Sequence, residues 1–246
     1  MGIYFVVTAV MLFLLDFVLP DTKDSHLFRQ GITSAAVLPF LYSFYRQDSF
    51  LRGEPLGKKD FFLTKREAGT VFFLFLAGGC FALALNNVLS VVHISDYSAS
   101  YNRIRETFYV GKFFMEFCVV CLLAPLAEEL LYRGIVYKRA KDWLGVWPGI
   151  VISAAFFGLV HMNLVQFVYA GAFGIFLGLF VEKTGKLHSA IAAHAAANLT
   201  SLMRGETEVF AFMDDSFLTM VFFTVFLFLL AAGLVFGALH ILSKAI

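Results

Sequence analysis

The sequence predicts an all-α, polytopic membrane protein, a bundle of about eight transmembrane helices with a polar site inside the membrane. Of its 246 residues, 60% are hydrophobic and 15% are charged, whereas soluble domains are about 45–50% apolar and 25% charged. The apolar stretches are continuous, as spanning helices require, and do not alternate as in a membrane β-barrel. Ionisable residues occur inside these stretches, where they are costly unless they face a bundle interior or a cavity.

Hydropathy predicts the individual helices, which cover residues 3–19, 32–46, 68–93, 106–140, 147–162, 165–181, 187–204 and 216–243. The first stretch has no basic region and no small-residue cleavage site, so we interpret it as a retained span. The second helix is short for a bilayer, and we expect it to be interfacial or steeply tilted. No block of soluble composition longer than about twenty residues interrupts the helices. We therefore predict a single integral membrane domain over residues 1–246.

Charges in the loops predict the orientation of the chain. The loops on the side of the N-terminus, together with the C-terminus, carry 13 Lys and Arg residues, against 6 on the other side. Because loops rich in Lys and Arg face the cytoplasm, we predict a multi-pass protein with both termini in the cytoplasm, surrounded by membrane lipids. The net charge of +1 gives no indication of nucleic-acid binding.

Three of the apolar helices each carry a compact polar cluster. The clusters are Glu128, Glu129 and Arg133 on the fourth helix, Phe157 and His161 on the fifth, and His194 and Asn198 on the seventh. Glu129 and Arg133 are four residues apart with the glutamate first, the favourable order for an ion pair along a helix. Glu128 points about 100° away and is available for another role. The fourth and fifth helices are antiparallel around a turn near residues 142–147, which places Glu128 and His161 at similar depth.

Each cluster has a structural explanation when taken alone: a packed histidine, a bridging ion pair, or a small-residue run for close helix packing. Three clusters in one bundle favour a site instead. Glu128 and a neutral His161 could hold and deprotonate a water molecule, while His194 and Asn198 donate hydrogen bonds to an oxyanion. One glutamate and two histidines (Glu128, His161 and His194) are equally a ligand set for catalytic zinc, with Glu129 or a second carboxylate as the base, although the HExxH pattern is absent.

The ordered motifs EExxxR, FxxxH and HxxxN in hydrophobic segments resemble the CPBP family of CAAX-type and bacteriocin-processing intramembrane endopeptidases. This family includes the type II CAAX prenyl endopeptidase. The resemblance covers residues 105–204, which we interpret as the motif-bearing catalytic core of the domain. It implies a glutamate-dependent hydrolase that needs no cofactor, with a zinc-dependent version as the alternative.

The resemblance also implies a role for each motif residue. Glu128 is expected to activate water together with His161, and His194 and Asn198 are expected to bind the oxyanion. The supporting residues are expected to be Glu129, Arg133 and Phe157.

The expected function is cleavage of a membrane-associated peptide or a lipidated protein. Bacteriocin processing and cleavage of a prenylated CAAX protein both stay open, because nothing in the sequence reveals a prenyl pocket. The alternative is a non-catalytic peptide-binding membrane protein, such as a bacteriocin immunity or scaffold factor. A coupled transporter is disfavoured because the sequence lacks repeated halves and pairs of broken helices.

Overall fold

The secondary structure is helical throughout the part of the chain that the computed structural model describes, residues 2–19, 23–54, 56–57, 62–91 and 113–243. In chain order, the helices in these ranges are α1 (Gly2–Val18), α2 (Lys23–Leu51), α3 (Lys65–Val91), the composite α4 (residues 113–144), α5 (Val146–Leu159), α6 (Leu164–Thr184), α7 (Leu187–Glu206) and α8 (Phe217–Ser243). A short 3₁₀ turn, Ala211–Met213, precedes α8. The predicted all-α class is confirmed.

Helix α4 alternates between α-helical and π-helical geometry. Its successive segments are Phe113–Glu116 (α), Phe117–Leu123 (π), Ala124–Glu129 (α), Leu130–Tyr137 (π) and Lys138–Leu144 (α). Pro125 lies in the first turn of the middle α-helical segment and has no N–H group to continue the backbone ladder. Single π-helical turns inside helices are frequent at functional sites. Here they bracket the segment that carries Glu128 and Glu129.

Helix α2 is longer than the sequence predicts. It has 29 residues and contains Pro39, so the expectation of a short second helix over 32–46 is wrong. Hydropathy does not predict the polar ends of α2, because a hydropathy value does not show which charged side chains form ion pairs. Arg29, near the start of α2, pairs with Asp16 of α1 at 3.1 Å, and Asp48, near its end, pairs with Arg139 of α4 at 2.6 Å.

Helix α5 is shorter than predicted and ends at Leu159 instead of residue 162. Met162 has a left-handed backbone with a φ of 56°, which a continuing α-helix does not permit. Asn163 then caps α6 by accepting a hydrogen bond from the Gln166 N–H at 2.8 Å. The predicted start of the fourth helix, residues 106–112, lies outside the described residues.

Among the residues that the structure describes, three helices, α3, α6 and α8, are long and apolar enough to cross a bilayer. Two shorter apolar stretches, Val6–Asp16 and Val146–Leu159, lie in α1 and α5. Helix α8 leaves about half of its large apolar side chains exposed, as expected of a helix in contact with lipid. These properties are those of a polytopic membrane protein; the cytoplasmic placement of both termini stays a prediction.

Charged side chains of several helices meet at one end of the bundle. Lys141 of α4 pairs with Glu182 of α6 at 2.6 Å, and Lys186, just before α7, pairs with Glu67 of α3 at 3.4 Å. We call this region the charged end, formed by residues 48–52, 65–67, 138–142 and 182–186.

Small residues allow the helices around the polar clusters to approach closely. Helix α3 packs against both α7 and α8, and α5 packs against α6. At Gly78 of α3, an added Cβ would lie 2.4 Å from the Ala193 carbonyl oxygen of α7. Because Ala193 immediately precedes His194, this backbone contact determines where α7 holds a predicted site residue.

Candidate active site

The ion pair expected from the spacing on α4 is present and is the most buried part of the site. Arg133 donates from Nη1 to Glu129 Oε1 at 2.8 Å, and both side chains are 0% exposed. The arginine also donates from Nη2 to the Gly174 carbonyl of α6 at 3.1 Å. Its guanidinium carbon lies 4.5 Å from the centre of the Phe157 ring of α5, a cation–π contact. Arg133 therefore joins α4, α5 and α6 at one level.

His194 of α7 contacts the same buried carboxylate. Its Nδ1 lies 2.8 Å from Glu129 Oε1. A carboxylate oxygen accepts, so Nδ1 is the nitrogen that carries the proton. The other ring nitrogen, Nε2, faces Glu128, whose Oε2 is 3.8 Å away. Glu129 thus orients the imidazole and directs its second nitrogen towards the neighbouring carboxylate.

Glu128 is the accessible carboxylate of the adjacent pair. Its side chain is 24% exposed, in contrast to the full burial of Glu129. The distance of 3.8 Å from His194 Nε2 is longer than a hydrogen bond. One carboxylate is therefore fixed by two partners, while the other stays partly exposed.

His161 lies in the turn between α5 and α6, and not on a helix as predicted. Its Nδ1 is 2.9 Å from the Phe157 carbonyl oxygen. Since a carbonyl accepts, Nδ1 carries the proton and the lone pair of Nε2 remains available. Within the described ranges, His161 makes no hydrogen bond or ion pair with Glu128, so the structure does not join these two predicted partners directly.

The Phe157 ring is the common neighbour of the site residues. The imidazoles of His161 and His194 both lie edge-on to it, each with its ring centre 5.4 Å from that of Phe157. The Tyr132 ring packs in the same manner at 5.3 Å. Together with the Arg133 contact, these rings make Phe157 the side chain that brings the clusters of α4, the α5–α6 turn and α7 into one region.

Asn198 lies one turn after His194 on α7 and contacts the irregular part of α4. Its Nδ2 donates to the Val120 carbonyl at 2.7 Å. Val120 belongs to the first π-helical segment of α4. The hydrogen-bond pattern of a π-helix places backbone carbonyl groups differently from that of an α-helix. The amide nitrogen has two hydrogens, so one of them stays available beyond this contact.

The zinc-dependent alternative requires Glu128, His161 and His194 around one ion. No group of three or more His, Cys, Asp or Glu side chains in the described segments is placed to hold a metal ion. Whether the protein depends on zinc stays a prediction.

Several contacts of the site could not be predicted from side-chain patterns. They involve the backbone carbonyls of Gly174 and Val120, and a buried hydrogen bond from Ser153 Oγ to the Tyr132 carbonyl at 2.8 Å. A sequence signal existed only for Gly174, in the small-residue run AGAFG. A Cβ at this position would lie 3.0 Å from Arg133 Nη2, so glycine is required for the arginine to reach the carbonyl.

The fold and the site define a helical membrane protein with a buried Glu–Arg–His cluster beside an accessible glutamate. Residues 110–200 match the family model described as type II CAAX prenyl endopeptidase Rce1-like. Human CAAX prenyl protease 2 is 24% identical to the chain over 97 residues, a match that covers 31% of this chain and 30% of the human protein. No solved structure matches the chain. The resemblance to CAAX-type proteases is thus confirmed over the segment that carries the motifs.

Proposed function

We propose that this protein is an intramembrane endopeptidase that hydrolyses a peptide bond of a membrane-associated peptide or lipidated protein. The observation that carries the proposal is the accessible carboxylate of Glu128, 3.8 Å from a His194 nitrogen that Glu129 orients. The match of residues 110–200 to the Rce1-like family supports the same class of reaction.

Glu128 is the general base of the proposed reaction. Its carboxylate takes a proton from a bound water, whose oxygen then attacks the carbonyl carbon of the scissile peptide bond. His161 presents an Nε2 lone pair, because its Nδ1 proton is held by the Phe157 carbonyl. This lone pair accepts a hydrogen bond from the same water in the substrate complex and orients it for attack.

His194 and Asn198 stabilise the negative charge that develops on the carbonyl oxygen. Because Glu129 already holds the Nδ1 proton of His194, Nε2 donates only when both ring nitrogens are protonated. Asn198 contributes the amide hydrogen that the Val120 carbonyl does not use. When the tetrahedral intermediate collapses, Glu128 gives its proton to the leaving nitrogen and the C–N bond breaks.

The proposed substrate class is a peptide with a lipidated C-terminus. This assignment rests on the family match and on the name of the human relative, CAAX prenyl protease 2. A lipid chain would place such a peptide in the bilayer beside a site that lies among apolar helices.

The test uses purified protein in lipid vesicles with a fluorogenic CAAX peptide, prenylated or unprenylated. We expect wild-type protein to cleave the prenylated peptide, and Glu128→Gln to lose at least about 100-fold in rate, since general base catalysis contributes 10²–10⁴-fold. Glu206→Gln is the matched control, because Glu206 is exposed at the end of α7. Its rate should equal that of the wild type.

Three outcomes decide the proposal. Full activity of a folded Glu128→Gln variant would overturn the role of Glu128. Binding of the peptide without cleavage by wild-type protein would favour the non-catalytic alternative. Loss of activity with a chelator, restored by zinc, would show that the reaction depends on zinc and would overturn the metal-independent mechanism.

A further inference from the structure

The two tryptophans of the chain flank the turn between α4 and α5: Trp143 lies in the last turn of α4 and Trp147 in the first turn of α5. Trp143 is 89% exposed and Trp147 is 63% exposed, and Leu144 between them is also exposed. The chain contains no other tryptophan. The turn reverses direction at Gly145, which has a φ of 89°, so both indole rings project from the same tip of the α4–α5 hairpin.

This tip belongs to the charged end of the bundle. Asp142, next to Trp143, accepts a hydrogen bond from Arg52, the residue after the end of α2, at 2.6 Å. Lys141 pairs with Glu182 near the end of α6. Helix α6 has 21 residues and is long and apolar enough to span a bilayer, so the charged end coincides with one of its two membrane boundaries.

The chemistry of the exposed side chains matches that boundary. An indole ring has an apolar body and one N–H donor, and tryptophan is enriched at the level of lipid headgroups for this reason. On one side of the tip are the ion pairs of the charged end; on the other is α5, whose 14 residues are strongly apolar. A surface with exposed indole rings beside ion pairs is favourable neither in bulk water nor in the hydrocarbon core.

We propose that the turn carrying Trp143 and Trp147 binds the phospholipid interface and anchors the α4–α5 hairpin there. The anchor fixes the depth of the polar site. At 1.5 Å per residue, Glu128 lies roughly 20–25 Å along α4 from the turn, and His161 lies about 20 Å from it along α5. Both residues are then held well inside the bilayer, whether or not the protein is a protease.

The experiment measures tryptophan fluorescence of the full chain in phosphatidylcholine vesicles. Because the two tryptophans of the chain flank this turn, the tryptophan emission of the wild-type protein measures the surroundings of the turn. One set of vesicles contains lipids brominated close to the headgroup, a second contains lipids brominated near the chain ends, and a third is unbrominated. The brominated lipids are present in both leaflets, so the orientation of the protein does not affect the result.

We expect tryptophan emission at shorter wavelengths than for tryptophan in water. Bromine close to the headgroup should quench it more strongly than bromine near the chain ends. Trp143→Phe and Trp147→Phe leave one indole each and assign the depth of the two side chains separately. Emission quenched by aqueous acrylamide and unaffected by either lipid would overturn the proposal, because the turn would then lie in water. Emission insensitive to all quenchers would also overturn it, since a protein surface would then cover the turn.

Discussion

Two arginine–carboxylate pairs on α4 have similar distances but very different surroundings. Arg133 contacts Glu129 at 2.8 Å, and both side chains are fully buried among helices. Arg139, less than two turns later, contacts Asp48 of α2 through two hydrogen bonds of 2.6 and 2.9 Å. The Arg139 side chain is about half exposed at the charged end.

The difference shows that burial, and not distance, decides what an ion pair does in this bundle. An exposed pair contributes about 0–1 kcal/mol, because water solvates each partner when the other is removed. Removal of one partner from a buried pair costs about 3–5 kcal/mol, because an uncompensated charge remains. The Glu129–Arg133 pair additionally holds His194, so its loss affects the geometry of the site as well as stability.

The largest expected effect is a difference in stability between variants of these two ion pairs. Arg133→Met leaves the Glu129 carboxylate buried without its cation, and we expect it to lower the free energy of unfolding by about 3–5 kcal/mol. Arg139→Met should lower it by less, because Arg139 is about half exposed and its partner Asp48, although only 9% exposed, keeps Arg52 as a second cation at 4.0 Å. Thermal and denaturant unfolding in detergent micelles measures both. Equal losses in the two variants would contradict the importance of burial.

A medium effect is expected from the backbone contact between α3 and α7. In Gly78→Ala, the new Cβ meets the Ala193 carbonyl, and such overpacking costs about 1–3 kcal/mol. The shift of α7 should also displace His194 from Glu129 and lower any cleavage rate. Gly69→Ala in the same helix is the matched control, because nothing lies within 4 Å of the added Cβ. A Gly78→Ala protein as stable and as active as the control would show that α7 adjusts freely.

The smallest effect is expected at the charged end, where α3 begins with a capping box. The Thr64 N–H donates to Glu67 Oε2 at 2.8 Å, and the Glu67 N–H donates to Thr64 Oγ1 at 3.2 Å. Thr64→Ala should cost about 1 kcal/mol, while Thr64→Ser keeps the hydroxyl and should cost less. The melting temperatures of the three proteins provide the comparison. If the serine variant loses as much as the alanine variant, the hydroxyl is not the stabilising group.

Much of the site geometry follows from local spacing. The four-residue separation of Glu129 and Arg133 predicts their ion pair because neighbours at this spacing share a helix face. The same rule directs Glu128 elsewhere, and the structure leaves it more exposed. His161 is different: the sequence places it on a helix, whereas α5 ends at Leu159 and Asn163 caps the next helix, α6. Hydropathy does not detect such a cap inside an apolar run.

Composition and the spacing of apolar residues determine the helical membrane class, most of the helices and the candidate residues of the site. These properties are local, because each spanning segment must satisfy its own backbone in a solvent without hydrogen-bonding partners. The roles of neighbouring groups are not local. Three contacts depend on which helices pack together: those of Glu129 with His194, of Gly174 with Arg133 and of Asn198 with Val120. Tertiary structure alone decides these contacts, because they join residues distant in the chain and several use backbone carbonyls that every residue possesses.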